Sequence, residues 1–177
     1  AVVTSGVCPS INSDIVSVQT DAVTVAGTIS STSALICNNS AAPTVSLTGN
    51  TGSTIRWQSS TDGTTYNNFA PSQTTPSINS VVNNAAPGAL QVITYYKAIV
   101  QNGVCPNQTT NAITVSVDPT SKAGTILTAQ KVQQLCIGSP ASDVTLQTNV
   151  GTIIWKTATS IGGTYNTIGG QTQLMFP

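Results

Sequence analysis

The chain contains no histidine and no glutamate, which removes the usual general bases and two of the commonest metal-binding side chains. Charged residues make up 6% of the sequence, against about 25% in ordinary globular proteins. The formal charge is zero, so neither nucleic acid nor an anionic membrane surface finds an electrostatic partner. No apolar run approaches the ~20 residues of a spanning helix, so direct membrane insertion is not expected. No initiator Met or leader-like segment opens the sequence, which reads as a piece of a longer chain. Thr, Ser, Asn and Gln supply the polar surface in place of charge. Abundant Val and Thr, Gly/Asn/Pro punctuation and the lack of a long 3.6-residue period predict an all-β extracellular protein.

The chain also repeats itself. Cys8-Pro9 returns as Cys105-Pro106 and Gly27-Thr28-Ile29 as Gly124-Thr125-Ile126, both at an offset of 97 (105 − 8, 124 − 27). Ile36-Cys37 returns as Leu135-Cys136, Trp57 as Trp155, and Tyr66-Asn67 as Tyr165-Asn166, with small indels between them. Anchors in one order at one period mark a tandem array. In register, residues 1–21 are the C-terminal strands of a preceding repeat. Residues 22–118 are a complete repeat, and 119–177 are the N-terminal part of a following one. A unit of about a hundred residues can bury a core unaided.

Within the complete repeat, Gly27–Cys37 reads as a first strand and residues 38–43 as a loop. Val45 and Leu47 alternate with hydroxyl residues on the next strand. Ile55 and Trp57 share the inward phase of a third, which Asp62-Gly63 turns back as a hairpin signal. Residues 70–89 read as short strands and loops. Leu90, Val92, Thr94, Tyr96, Ala98 and Val100 line one face of a long strand. Asn102-Gly103 turns it into a last strand with Ile113, Val115 and Val117 inward, stopped at Asp118-Pro119. The expected core is therefore Val45, Leu47, Ile55, Trp57, Tyr96, Ala98, Ile113 and Val115, with Trp155 repeating Trp57. About seven strands with turns every 8–12 residues predict a sandwich of two antiparallel sheets.

Trp57 on the third strand and Tyr95-Tyr96-Lys97-Ala98 on the penultimate one resemble the immunoglobulin core, which makes the predicted architecture tandem immunoglobulin-like β-sandwich domains. Leu47 and Ala98 stand where that fold places its inter-sheet cystine, so apolar packing closes the core. The repeat further resembles the Ig-like repeats of giant Bacteroidota surface proteins, including gliding-motility and other adhesins exported by the type IX system. The motifs that carry the likeness are Gly27-Thr28-Ile29, Ile36-Cys37, Trp57-Gln58-Ser59-Ser60-Thr61-Asp62-Gly63, Thr94-Tyr95-Tyr96-Lys97-Ala98 and Asn102-Gly103-Val104-Cys105. The resemblance implies a cell-surface location and neighbouring repeats of the same chain as partners, with polysaccharide or other surface ligands beyond them.

Catalysis is not expected. Asp14, Asp21, Asp62, Asp118 and Asp143 are scattered, with no pair at a catalytic spacing, and no phosphate-binding loop enters a helix. Asp21 and Asp118 are repeat equivalents at the junctions. One carboxylate per junction falls short of the six to eight oxygens calcium takes, so no metal or cofactor is expected. Trp57 shares the phase of Ile55 and is read as core rather than as a sugar-stacking platform. Tyr66 and Tyr165 follow Gly/Thr turns and are the candidates for contact with a sugar or a neighbouring domain. Lys97 faces outward, which leaves it without the buried acid an isopeptide cross-link requires. The sequons at Asn38 and Asn107 are incidental in a bacterial chain.

Four cysteines, one pair per repeat, fit an oxidising compartment, and no C-x-x-C spacing suggests zinc. A Cys37–Cys105 bridge would close each repeat on itself, at roughly 4 kcal/mol of loop entropy, and leaves the partners of Cys8 and Cys136 outside the segment. Immunoglobulin topology objects, because it sets the first loop and last hairpin at opposite ends of the sandwich. The alternatives are Cys37 bonded to the last hairpin of the next repeat, or Cys8–Cys37 with Cys105–Cys136. The expected function is a rigid spacer in a large adhesin or filament. A glycan-recognition module using tips at 61–66 and 70–80 is the alternative, followed by a filament subunit assembled by strand exchange.

Overall fold

In the computed structural model, residues 1–69, 74–79 and 88–176 are described. The chain opens with a hairpin of β1 (Val2–Val3) and β2 (Ile11–Asn12). The complete repeat then runs β3 (Thr28–Ser31), β4 (Leu35–Cys37), β5 (Ser40–Ala41), β6 (Val45–Thr48), β7 (Ser53–Ser60), β8 (Asn67–Asn68), β9 (Ser77–Ile78), β10 (Ala89–Leu90), β11 (Thr94–Gln101), β12 (Gln108–Thr109) and β13 (Ile113–Asp118). Beyond it lie β14 (Thr125–Ile126), a 3-10 turn at Thr128–Gln130, β15 (Val144–Gln147), β16 (Lys156–Thr157), β17 (Asn166–Thr167) and β18 (Met175–Phe176). The described residues contain no α-helix, and hence none long and apolar enough to cross a membrane.

Two sheets of the complete repeat face each other across one core. The smaller orders β3-β6-β9; the larger orders β4-β13-β11-β7-β8, with β12 also on β11. A two-stranded pair, β5 with β10, sits beside them. Val45, Leu47 and Ile78 come from the smaller sheet and Trp57, Tyr96, Ala98, Val100 and Val115 from the larger, and all are buried in one cluster. The alternation of β11 is complete, with each even-numbered residue from Thr94 to Val100 buried and each odd one half-exposed. Such alternation is what a sheet with one packed face demands. The indole N–H of Trp57 donates to the Thr75 carbonyl at 2.9 Å, so the core Trp keeps its polar atom satisfied. The Tyr96 hydroxyl is buried and has no partner among the described residues.

Several expectations need correcting. Ile55 is only half-buried, and Thr54 and Trp57 take the inward positions instead. The cause is a bulge: Ile99 faces Arg56 and Val100 faces Thr54, so Ile55 is the extra residue and the phase slips at it. The stretch Gly27–Cys37 is two strands in different sheets. Ser31 and Ser33 make the crossing, each hydroxyl donating to a carbonyl two residues on, at Ser33 and Leu35, both at 2.7 Å. Residues 38–43 are not wholly loop, since β5 pairs there. Val92 is exposed and separates β10 from β11. Ile113 and Val117 are half-buried against the core rather than within it.

The sequence repeat is also a hydrogen-bond repeat. Val2 and Val3 pair with Asn12 and Ile11 as Ile99 and Val100 pair with Thr109 and Gln108. Thr28–Thr48 and Ile29–Leu47 return as Thr125–Gln147 and Ile126–Leu146. Val45–Ile78 returns as Val144–Phe176. Trp155 donates to the Gln173 carbonyl at 3.0 Å, as Trp57 does to that of Thr75. Its ring is half-buried and packs on Phe176, centroids 5.5 Å apart.

Candidate functional site

Side chains alternate across a strand, so burying Tyr96 and Ala98 turns Tyr95 and Lys97 to the outer face of the larger sheet. The turn after β7 closes on the same face. Asp62 accepts hydrogen bonds at one carboxylate oxygen from the Ser60 hydroxyl at 2.8 Å, from Thr64 N–H at 2.8 Å and from Thr65 N–H at 2.7 Å. The Thr65 and Thr64 amides, followed by the Ser60 hydroxyl, hold this carboxyl well below the usual carboxylate range. Gly63 takes the left-handed conformation, φ 73°, with its open side toward the Tyr95 ring. This turn delivers Tyr66 beneath Lys97, whose ammonium lies 3.9 Å from the ring centroid. Desolvation raises the Tyr66 phenol above its ordinary value, and Tyr95 and Asp62 add to the rise.

Tyr66 is therefore half-buried with one ring face occupied by a cation, worth about 0.5–1 kcal/mol at an exposed site. A sugar stacked on this ring would have to use the face opposite Lys97. Tyr165 is 53% exposed. Ile161 stands where the complete repeat has Asp62, so the carboxylate clamp is not repeated there. In the second candidate tip, residues 70–80, positions 70–73 and 80 lie outside the described residues. The face offers hydroxyl, amide and aromatic contacts, and the described residues bring together no group of three Cys or Asp side chains able to hold a metal ion.

The second cluster lies at the N-terminal end of the repeat. Asp21 accepts a hydrogen bond from Val104 N–H at 3.0 Å. Asn102 donates through its side chain to the Ala22 carbonyl at 2.8 Å and through its backbone to the Thr24 hydroxyl at 3.1 Å. The Cys105 thiol donates to the Ala22 carbonyl at 3.3 Å. A methyl group on Gly103 would run into the Asp21 carboxylate, so glycine there admits the acid as well as the positive φ. Residues 21–24 are thus clamped onto the 102–105 turn. Sequence reading placed Asp21 at the junction without its partner, because that partner is 83 residues away. The Asn102-Gly103 turn was the only signal available.

All four thiols are unpaired, and the Cys37–Cys105 bridge does not fit the fold. Cys37 ends β4 and is in register with Asp118, at the C-terminal end of the repeat. Cys105 lies past the other end of β11, whose eight residues span about 26 Å. A disulfide needs Cα atoms within about 7 Å. Cys8 and Cys136 are both exposed.

Residues 25–119 match the family model described as Domain of unknown function (DUF8696). No curated protein and no solved structure matches the chain.

Proposed function

We propose that this chain, which belongs to the DUF8696 family of domains of unknown function, is part of a secreted cell-surface adhesin or filament in which β-sandwich repeats act as rigid spacers. The observation that carries the reading is the repetition of the same hydrogen bonds along the chain, supported by the clamp of residues 21–24 on the 102–105 turn. Asp21 caps the turn of the complete repeat, and its equivalent Asp118 is already the last residue of β13. A junction this short would limit how far successive domains bend, unlike a long Gly/Ser tether. The nearly uncharged hydroxyl and amide surface stays hydrated independently of ionic strength. On this reading the partners are the adjoining repeats, the location is outside the cell, and export by the type IX system in the manner of gliding adhesins follows from the motif resemblance.

The test is the mass of the native chain on a reducing, denaturing gel, identified by peptides from residues 22–118. A band of hundreds of kilodaltons is expected. A band near 18.0 kDa would overturn the spacer reading and favour subunits assembled by strand exchange.

The outer aromatic face supports a second reading, recognition of polysaccharide through Tyr66 and Tyr165. Glycan-array binding by the chain that is lost in Tyr66→Ala and Tyr165→Ala would establish it, and silence across the array would exclude it.

A further inference from the structure

We infer that Cys37 of one repeat forms a disulfide with the counterpart of Cys105 in the repeat that follows, so that the array is stapled across each junction rather than closed within each domain. The inference deepens the spacer reading and rests on it.

The argument turns on one residue seen at both ends of the repeat. At the C-terminal end, Asp118 of β13 lies beside Cys37 of β4 in a parallel pair, and the Asn38 N–H donates to the Asp118 carbonyl at 2.8 Å. At the N-terminal end, Asp21 occupies the equivalent position, and the Cys105 thiol reaches its carbonyl at 3.8 Å while Val104 N–H binds its carboxylate. In an array these are two views of one junctional aspartate. Its main chain finishes one sandwich and its side chain caps the next. The same carbonyl oxygen then has the Cys37–Asn38 peptide on one side and the incoming thiol on the other. Two contacts on one oxygen make the two cysteines neighbours at the junction, where a bridge requires their Cα atoms to come within about 7 Å.

The remaining pairings lack this geometry. Cys37 and Cys105 of one repeat are separated by the length of β11. Cys8 and Cys105 are equivalents, as are Cys37 and Cys136, so Cys8–Cys37 and Cys105–Cys136 would join cysteines a full domain or more apart. Cys37 is exposed and Cys105 half-buried, so both thiols can be reached. Closing the staple forms one S–S bond and releases two protons and two electrons. The electrons go to a disulfide oxidant, by exchange through a mixed disulfide, and reduce it to its dithiol.

The experiment alkylates free thiols of the native, full-length chain, digests it without reduction and sequences the linked peptides. The expected products join the Cys37 peptide to a Gly-x-Cys-Pro turn peptide of another repeat, and the Cys105 peptide to an Ile-Cys or Leu-Cys strand peptide of another repeat. A Cys37–Cys105 link, either sequence-neighbour link, or alkylated Cys37 would overturn the staple. Alkylated Cys37 in a chain of hundreds of kilodaltons would remove the staple and leave the array standing. An 18.0 kDa chain would remove both. The Cys37→Ser variant separates chemistry from folding, because Cys37 is exposed. It should free the facing turn cysteine for alkylation and leave the other junctions linked.

Discussion

The complete repeat and the segment from 119 to 176 carry the same hydrogen bonds and reach different degrees of burial. Trp57 is 0% exposed and Trp155 only half-buried, although each indole donates to the carbonyl 18 residues on. Val45 and Leu47 are buried, whereas their equivalents Val144 and Leu146 are half-buried. Within residues 119–176 no strand corresponds to β11 or β13. Backbone pairing and indole capping therefore follow from the nearby sequence, while the dry core requires the strands that close the sandwich. Hydrogen bonds set the register here, and burial supplies the free energy.

The comparison can be broken most decisively at the two tryptophans. In a chain of these 177 residues, Trp57→Ala should cost about 3–5 kcal/mol, as expected for a large side chain removed from a packed core, and Trp155→Ala less than half of that. Urea unfolding of the two variants reads the difference, and equal costs would show that the C-terminal segment is as well packed as the complete repeat. Next comes the turn before β7. Gly49 and its equivalent Thr148 both adopt positive φ, 67° and 57°, a conformation that costs a β-branched residue about 1–2 kcal/mol. Gly49→Thr should lower thermal stability by that amount although nothing lies near its Cβ, and Thr148→Gly should raise it by somewhat less because glycine loses more entropy on folding.

Tyr96 sharpens the comparison at the core itself. Burial pushes its phenol up to about 12, and its hydroxyl lacks a partner among the described residues. Tyr96→Phe should thus change stability by less than about 1 kcal/mol; a larger loss would reveal a hydrogen bond to that oxygen. The smallest effect is expected at the exposed turn. Asp62 has a lowered folded pKa, so its contribution is present above the unfolded value of about 4 and fades as pH falls through the folded one. The gap in melting temperature between wild type and Asp62→Ala should be visible at neutral pH and close in strong acid. Ile161→Ala in the equivalent turn should show no such pH dependence.

Much of this was legible in the chain. The period-2 pattern of residues 94–101 placed the buried face of β11, and Asp62-Gly63 placed the turn that carries Tyr66. The bulge was not legible, because the sequence around Ile55 alternates as a regular strand would and the extra residue shows only against Val100 and Ile99 on the partner. The sheet-to-sheet crossing at Ser31–Ser33 looked like a polar interruption, since a hydroxyl bonded to its own backbone reads the same as one facing solvent. The placement of Lys97 over Tyr66 and of Asp21 on the 102–105 turn depends on contacts between distant residues, which no local pattern encodes.

The parallel pairing of β4 with β13 has a mechanical meaning. Tension applied to the two ends of the complete repeat would enter near residue 25 and leave at Asp118, so it would drag β4 toward one end and β13 toward the other. Their hydrogen bonds, from Ser116–Leu35 to Asp118–Cys37, then carry load side by side in shear and cannot peel one at a time. Single-molecule stretching should show each repeat giving way at high force in one step. A low-force, gradual extension would mean that the load follows another path. In a repeat pulled from its ends, the resistance would be concentrated in this one strand pair.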